Sequence, residues 1–404
     1  MIPPRRAAVV FIFITVVLDI LALGIVIPVL PVLVEDFLGG DTARAATMLG
    51  LFGTVWALMQ FIFAPVLGSL SDRFGRRPVI LISCFGLGLD YMLMAVAPSL
   101  TWLFVGRVLS GVTAASFSTA GAYIADVTPV EKRAAGFGMI GAAFGIGFVL
   151  GPAVGGLLGA SDPRLPFWVA GGLALANAAY GYFVLPESLP PDQRKPFSWR
   201  NANPMGSLQL LRRYPGLMGL ASVSLLNHLA HHVLPSVFVL YVGYRYDWNP
   251  RDTGLSLAAV GIINVIVQGG LVRPLVARFG ERRVLLTGLA GGIAGFAMFG
   301  LAATSTAFWV ALPVFGLMGL FNPAVQALMT RRLSSSDQGQ LQGINASFLG
   351  LTGIVGPGLF TWTFALAIGP GAVWYLPGAP FVLASALLMV AFVVAWRVTM
   401  EPTS

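Results

Sequence analysis

Charged residues are scarce in this sequence. Asp, Glu, Lys and Arg make up 10% of the 404 residues, whereas a soluble globular protein carries about 25%. Hydrophobic residues make up 57%, and the mean hydropathy is +0.83. So few charges do not cover a water-facing surface, which excludes an ordinary soluble enzyme. The high hydrophobicity excludes a disordered chain.

The sequence also has few residues and motifs of the kinds that bind metals or nucleotides or catalyse reactions. Cys84 is the single cysteine, so the chain forms no intrachain disulfide and no cysteine-based metal cluster. The sequence contains no G-x4-G-K-[ST] loop, which excludes transport driven by ATP through that motif. No arrangement of nucleophile and base or of metal ligands is apparent. We therefore expect a protein that is not an enzyme and has no cofactor or metal.

Long apolar runs are what the sequence has in abundance. A helix needs roughly 20 apolar residues to cross the ~30 Å hydrocarbon core of a membrane. The first run is expected to be retained as a helix, because no small-residue cleavage site follows it. We predict an all-α membrane protein with twelve spans, near residues 7–33, 46–70, 78–97, 100–123, 136–160, 166–185, 214–243, 253–277, 283–304, 307–329, 340–367 and 373–397.

The longest link between spans lies near the middle of the chain. Residues 186–213 contain five prolines and five basic residues, a composition typical of a linker. The linker divides the chain into an N-terminal six-helix bundle, residues 1–185, and a C-terminal one, residues 214–404. If the N-terminus is cytoplasmic, 19 of the 24 Lys and Arg lie on the cytoplasmic side, as membrane insertion favours. This places both termini in the cytoplasm and explains the net charge of +8 without nucleic acid.

The chain also repeats itself at an offset of 205 residues. Arg73-Phe74-Gly75 returns as Arg278-Phe279-Gly280, and Gly151-Pro152 returns as Gly356-Pro357. Two halves with the same topology predict a pseudo-two-fold axis along the membrane normal, with the halves rocking about a central substrate site.

Three motifs identify the chain as similar to the major facilitator superfamily. A G-x3-D-R-x-G-R-R loop follows the second span, Arg107 and Gly111 form an R-x3-G pattern, and a glycine-proline motif in the fifth span resembles that of the antiporter branch. The residues of the loop are Gly68, Asp72, Arg73, Gly75, Arg76 and Arg77, and those of the fifth span are Gly138, Gly147, Gly151, Pro152, Gly155 and Gly156.

The resemblance narrows to the tetracycline/proton antiporter group. Leu18-Asp19, Leu89-Asp90-Tyr91 and Tyr246-Asp247-Trp248-Asn249 carry it. That group has a histidine in helix eight and an aspartate in helix nine. Here the matching positions are Asn264, followed by the expected Gln268, and a glycine-rich stretch around Gly291.

The resemblance implies a function and a location. It implies a proton-coupled antiporter in the cell inner membrane that exports a hydrophobic or amphipathic drug-like compound, including a tetracycline-like one, by alternating access. Its partners would be a small-molecule substrate, protons and the lipid bilayer, with no nucleic acid, and the chain would act as a monomer. The alternative is a proton-independent facilitator or a transporter of another small organic metabolite.

Charged residues inside spans mark the candidate coupling site. Asp19, Asp90 and Arg107 lie deep within predicted helices, where an ionisable group marks function by default. Burial favours the neutral carboxyl and a nearby Arg favours the carboxylate, so a conformational change would load and release a proton. The alternative is a permanent salt bridge that only pins helices together.

The cytoplasmic loop is expected to act as a latch. By resemblance, Asp72 faces the N-terminus of helix eleven and Arg76 bridges to Asp126. The second copy has Ala277 and Glu281 at the matching positions, so we expect it to have lost these contacts. The alternative is that the loop arginines only set the topology. The glycines of helix five are expected to pack closely on a helix of the other half.

Helix seven contains all three histidines of the chain. His228, His231 and His232 are spaced so that they share a helix face. They are candidates for proton coupling, for substrate binding, or for lining a wet cavity. Polar and aromatic side chains predicted to contact substrate are Gln60, Asn227, His231, Phe238, Asn264, Gln268, Asn322, Gln326 and Asn345.

Overall fold

A computed structural model of the chain describes residues 4–114, 116–129, 133–197, 215–333, 338–370, 372 and 375–400. Within these residues all regular secondary structure is helical, as the long apolar runs predict. The helices of the first half are α1 (Pro4–Val26 and Leu30–Phe37), α2 (Thr42–Phe74), α3 (Arg76–Val96), α4 (Leu100–Thr113 and Ser116–Val127), α5 (Arg133–Gly159) and α6 (Leu165–Val184).

The second half begins with α7, which consists of Pro215–His231 and Val233–Tyr246. A continuous helical stretch of 52 residues, Pro250–Leu301, follows. At 1.5 Å per residue it would be about 78 Å long, far more than one membrane crossing. It turns at Gly280, where φ is 76°, and so forms two helices, α8 (250–279) and α9 (281–301).

Three helices complete the chain: α10 (Ser305–Thr330), α11 (Gln338–Ile368) and α12 (Ala379–Val398). Ten helical stretches within the described residues are long and apolar enough to cross a membrane. Dividing the 52-residue stretch and adding the interrupted α4 gives twelve. The predicted all-α fold with twelve spans is confirmed.

Prolines explain the breaks inside two helices. Pro235 has no N–H to donate to the carbonyl of His231, and α7 is interrupted at His232. Pro323 likewise leaves the carbonyl of Gly319 without its helical donor, and α10 tightens into a 3₁₀ turn over Leu317–Leu320. A third irregularity is a π-helical turn, Val267–Leu271, in α8.

The chain forms two compact units. Unit 1 comprises residues 1–40, 55–203 and 249–258, and unit 2 comprises residues 41–54, 204–248 and 259–404. The start of α2 therefore belongs with unit 2 and the start of α8 with unit 1, which the division at the linker did not predict. Of the linker, residues 198–213 lie outside the described residues.

Each unit has its own core. In unit 1, α1 packs against α5 and α6, and α3 packs against α6. The core there includes Ile12, Val16, Ile20 and Tyr123. In unit 2, α9 packs against α12 and α10, and the core is rich in aromatic rings. These include Tyr241, Phe296, Phe299, Phe308 and Phe381.

Candidate functional site

Asp19 lies in the interior of unit 1. Its side chain is 1% exposed and accepts a hydrogen bond of 3.1 Å from Nδ2 of Asn177 on α6. The same amide lies 3.7 Å from Sγ of Cys84 on α3. Asn177 was not among the predicted site residues, although an amide within an apolar span is a signal that could have indicated it.

Asp90 and Arg107 form a buried ion pair. Asp90 is fully buried, Arg107 is 9% exposed, and Nη2 of Arg107 lies 3.1 Å from Oδ2 of Asp90. Gly106 permits this approach, since a Cβ there would lie 2.6 Å from Oδ1 of Asp90. The geometry is that of a salt bridge between α3 and α4. Asp90, like Asp19, is closed off from solvent.

The loop between α2 and α3 forms an ion-pair network. Nε of Arg76 lies 3.1 Å from Oδ2 of Asp126 at the end of α4, as the resemblance implies. Nη1 of Arg76 lies 2.5 Å from Oδ1 of Asp72 and donates to the hydroxyl of Ser71. The other implied partner of Asp72, the N-terminus of α11, belongs to unit 2, and that contact stays a prediction.

Glu187 holds this loop and was missed in the sequence. It follows the end of α6, and its carboxylate accepts backbone N–H groups of Arg76 at 2.8 Å and Arg77 at 3.2 Å. It also accepts those of Ser188 and Leu189. It thereby satisfies free donors at the start of α3. Gly75 has φ of 108°, and a Cβ there would collide with the Glu187 carboxylate.

The remaining loop residues make simpler contacts. Arg73 lies over the ring of Phe74, while Arg77 donates to the carbonyl of Tyr182 and lies over its ring. A Cβ on Gly68 would meet no atom within 4 Å. Gly68, Asp72 and Arg76 line a cavity of about 340 Å³ within unit 1.

The second copy of the loop has kept an ion pair with its charges reversed. Oε1 of Glu281 lies 2.5 Å from Nη2 of Arg331. These two residues are the counterparts of Arg76 and Asp126 at the offset of 205. The expectation that the second copy had lost this contact was therefore wrong, because both partners changed together. Gly75 and Gly280 also share a backbone conformation, with positive φ and ψ near 160°.

The glycines of α5 pack mainly against α1. Gly147 faces Ile20, Gly151 faces Gly24, and Gly155 faces the carbonyl of Ile25. Gly156 instead faces the first turn of α8, at Pro250, close to Pro152, which contacts Gly254. This last contact is with a helix of the second half of the chain, and packing on further helices of that half stays a prediction. A Cβ on Gly138 would meet no described atom within 4 Å, and the packing role of Gly138 stays a prediction.

The histidines of α7 point to different neighbours. The ring of His231 is exposed and stacks on Phe315 of α10, with centroids 6.4 Å apart. His232 approaches Gly356 of α11, and His228 is half-buried. No group of three His, Cys, Asp or Glu side chains that could hold a metal occurs among the described residues.

The predicted substrate residues differ in exposure. Asn264 and Gln268 are exposed and hydrogen-bond each other at 2.8 Å, and Asn322 is exposed at α10. Phe238 is 1% exposed and packs on Phe308, so its ring belongs to the aromatic core and faces no open space. Gln60, Asn227, Gln326 and Asn345 are buried or half-buried. Gln60 belongs to unit 1 and the others to unit 2, so their shared cavity stays a prediction.

Twelve apolar helices in two units, with an ion pair and a further carboxyl inside one of them, define a multi-pass membrane transport protein. The sequence matches the profile of the Major Facilitator Superfamily over residues 12–275 and 269–404. The chain belongs to this superfamily.

The chain is also similar to individual proteins of known name. The chain is 39% identical to the tetracycline resistance protein of class C from Escherichia coli, over 91% of this chain and 93% of that one. It is 37% identical to the class G protein from Vibrio anguillarum, over 91% and 94%. A crystal structure of the nucleoside transporter NupG, 13% identical, covers 98% of this chain and 100% of its own with a TM-score of 0.76. This last likeness concerns the fold alone.

Proposed function

We propose that the protein is a proton-coupled antiporter that exports a hydrophobic or amphipathic drug-like compound by alternating access. The observation that carries this proposal is the identity of 39% to a tetracycline resistance protein across nearly the full length of both chains. Tetracycline is accordingly the first substrate to test. Proton coupling is assigned to Asp19 and to the pair Asp90–Arg107, the ionisable groups that the fold encloses in unit 1.

The protein is proposed to lie in the cell inner membrane as a monomer with both termini in the cytoplasm. The network of Asp72, Arg76 and Asp126 would then stabilise the state that is closed on the cytoplasmic side. Asn264 and Gln268, exposed on α8, are proposed to contact the substrate, together with His231 and Asn322. His228 and His232 are proposed to contribute to coupling, since an imidazole can take up and release a proton.

Reconstituted protein tests the coupling. Proteoliposomes are loaded with tetracycline on one side, and its flux is measured with and without an imposed pH gradient. Wild-type flux is expected to rise with the gradient. Asp19→Asn is expected to abolish that rise, because an amide takes up no proton, while a gradient-independent exchange of substrate persists.

Asp36→Asn is the matched control, because Asp36 is an exposed acid on the same helix, and it is expected to retain the gradient response. Equal flux with and without the gradient in wild-type protein would favour the proton-independent facilitator. The substrate class is checked in an efflux-deficient host expressing the chain. If no compound of a toxic panel becomes less inhibitory, the protein is not a drug exporter.

A further inference from the structure

The Asn177 amide is the polar group that joins α6 to the turn of α1 carrying Asp19. It is completely buried. Its Nδ2 atom lies 2.9 Å from the backbone carbonyl oxygen of Thr15 and 3.1 Å from Oδ1 of Asp19. An amide NH₂ group has two hydrogens to donate, and both have an acceptor here.

The two acceptors belong to one turn of one helix. Thr15 precedes Asp19 by four residues, so its carbonyl and the Asp19 side chain are neighbours on the surface of α1. An amide that donates to both fixes the carboxylate relative to the backbone. Asn177 therefore constrains the direction of Asp19 as well as its distance from α6.

Other groups also lie around Asp19. Cys84 and Tyr91 on α3 are the titratable neighbours; the Cys84 thiol, a weak donor, also hydrogen-bonds Asp19, and the Tyr91 hydroxyl has no hydrogen-bond partner among the described residues. The cation in this interior, Arg107, is paired with Asp90. On α5 the group that faces this turn is Gly147, against Ile20. Burial disfavours an ionised carboxyl, and each hydrogen bond that the carboxylate accepts reduces this cost.

We infer that Asn177 is a positioning residue that orients Asp19 and stabilises its ionised form, and so sets the pH at which Asp19 exchanges a proton. The inference rests on the proposed role of Asp19 in proton coupling. A hydrogen bond to the charged form of an acid favours that form. Without the Asn177 donor, the Asp19 carboxyl retains its proton to higher pH.

Infrared difference spectroscopy tests this without requiring a transported substrate. Purified protein in bilayers of bacterial phospholipid is titrated from about pH 4 to about pH 10, and the absorbance of protonated carboxyl groups is followed. The signal of Asp19 is the component that disappears in Asp19→Asn. In Asn177→Leu its midpoint is expected to shift upward by about one pH unit, a tenfold gain in proton affinity.

The choice of variants separates donation from packing. Leu has the same branched skeleton as Asn but is bulkier and has no donor, and Asn177→Ala removes the donor while opening space, so both should shift the midpoint. Asn177→Ser keeps a donor and is expected to stay closer to wild type. Ser83→Ala is the matched control, since it removes a buried hydroxyl on α3 that has no protein partner, and its midpoint is expected to be unchanged.

The outcomes are distinguishable. If the component lost in Asp19→Asn keeps its wild-type midpoint in both Asn177→Leu and Asn177→Ala, the positioning role is overturned and the coupling role of Asp19 survives. If Asp19→Asn removes no titrating component, Asp19 does not exchange protons and the proposed coupling site fails as well. Should the leucine variant not fold, the alanine and serine variants decide between these results.

Discussion

The two interior acids of unit 1 are stabilised by different partners. Asp90 has a guanidinium at 3.1 Å, so the pair carries no net charge into the membrane. Asp19 receives the neutral amide of Asn177 at 3.1 Å, which brings no positive charge. A cation favours the ionised form of a neighbouring carboxyl more strongly than a neutral amide does. Asp19 is therefore the better candidate for the exchanging group.

We expect the Asp90–Arg107 pair to be strongly coupled in stability. Removing one member leaves a buried charge without a partner, which costs about 3–5 kcal/mol. Arg107→Met and Asp90→Leu should each lower the free energy of unfolding by about this amount. The double variant should lose much less than the sum. Denaturant unfolding of the purified protein measures all three.

Arg44→Met serves as the control for this cycle, because Arg44 is an exposed arginine and its loss should have little effect. Additive losses in the double variant would show that the two groups do not stabilise each other.

At the scale of helices, the contact of α5 with α1 depends on missing side chains. Gly151 and Gly24 bring the two backbones together, since a Cβ on Gly151 would lie 2.6 Å from the Cα of Gly24. Backbone atoms of packed helices have little freedom to move aside. A methyl group at this position therefore has to separate the helices.

Gly151→Ala and Gly138→Ala are expected to have opposite effects on stability. The first overpacks the contact and should lower the free energy of unfolding by about 1–3 kcal/mol. The second adds a methyl group in open space on the same helix and should raise it by about 0.5–1 kcal/mol, because alanine favours helix more than glycine does. Thermal unfolding of the two variants in one detergent makes the comparison.

A loss of stability in Gly138→Ala equal to that in Gly151→Ala would contradict the packing described for α5. The glycine motif would then act through helix flexibility and not through close approach.

The reversed ion pair of Glu281 and Arg331 also depends on two helices and not on a single position. Considered alone, Glu281 indicates that the second copy has lost the arginine found at position 76. Its contact with Arg331 becomes visible only when the start of α9 and the end of α10 are considered together. The contact is expected to be weak, because the Arg331 side chain is 68% exposed and exposed pairs contribute about 0–1 kcal/mol.

For the whole molecule, the distribution of basic residues predicts the orientation of the chain in the membrane. It predicts that Arg44, in the first turn of α2, and Arg194, in the linker, lie on opposite sides of the membrane. Both side chains are exposed, and the single native cysteine, Cys84, is buried.

Cysteine labelling tests this orientation with matched substitutions. In a Cys84→Ser background, Arg44→Cys is expected to react with a membrane-impermeant maleimide added to intact cells. Arg194→Cys is expected to react only after the membrane is opened. The reverse pattern would place both termini outside the cytoplasm and invalidate the assignment of the cytoplasmic network.

Features with a local cause could be predicted from the sequence. The number of spans follows from run length and hydropathy, and the two-fold repeat from the segments that return at an offset of 205 residues. The pair of Arg76 with Asp126 could be predicted because the resemblance to the family implies both partners. The distant partners of Glu187 and Asn177 could not be predicted, since Glu187 binds the start of α3, 111 positions away, and Asn177 binds Asp19, 158 positions away.

The sequence by itself therefore determined the fold class, the repeat and the positions of the interior charges, because the cost of exposing polar groups to lipid depends on each short segment alone. The tertiary structure decided which groups meet: Asn177 with Asp19, Arg107 with Asp90, Glu187 with the start of α3. It also moved Phe238 into the core and placed no described atom close to Gly138. Such contacts depend on the rotation and separation of packed helices, which hydropathy along the chain does not encode.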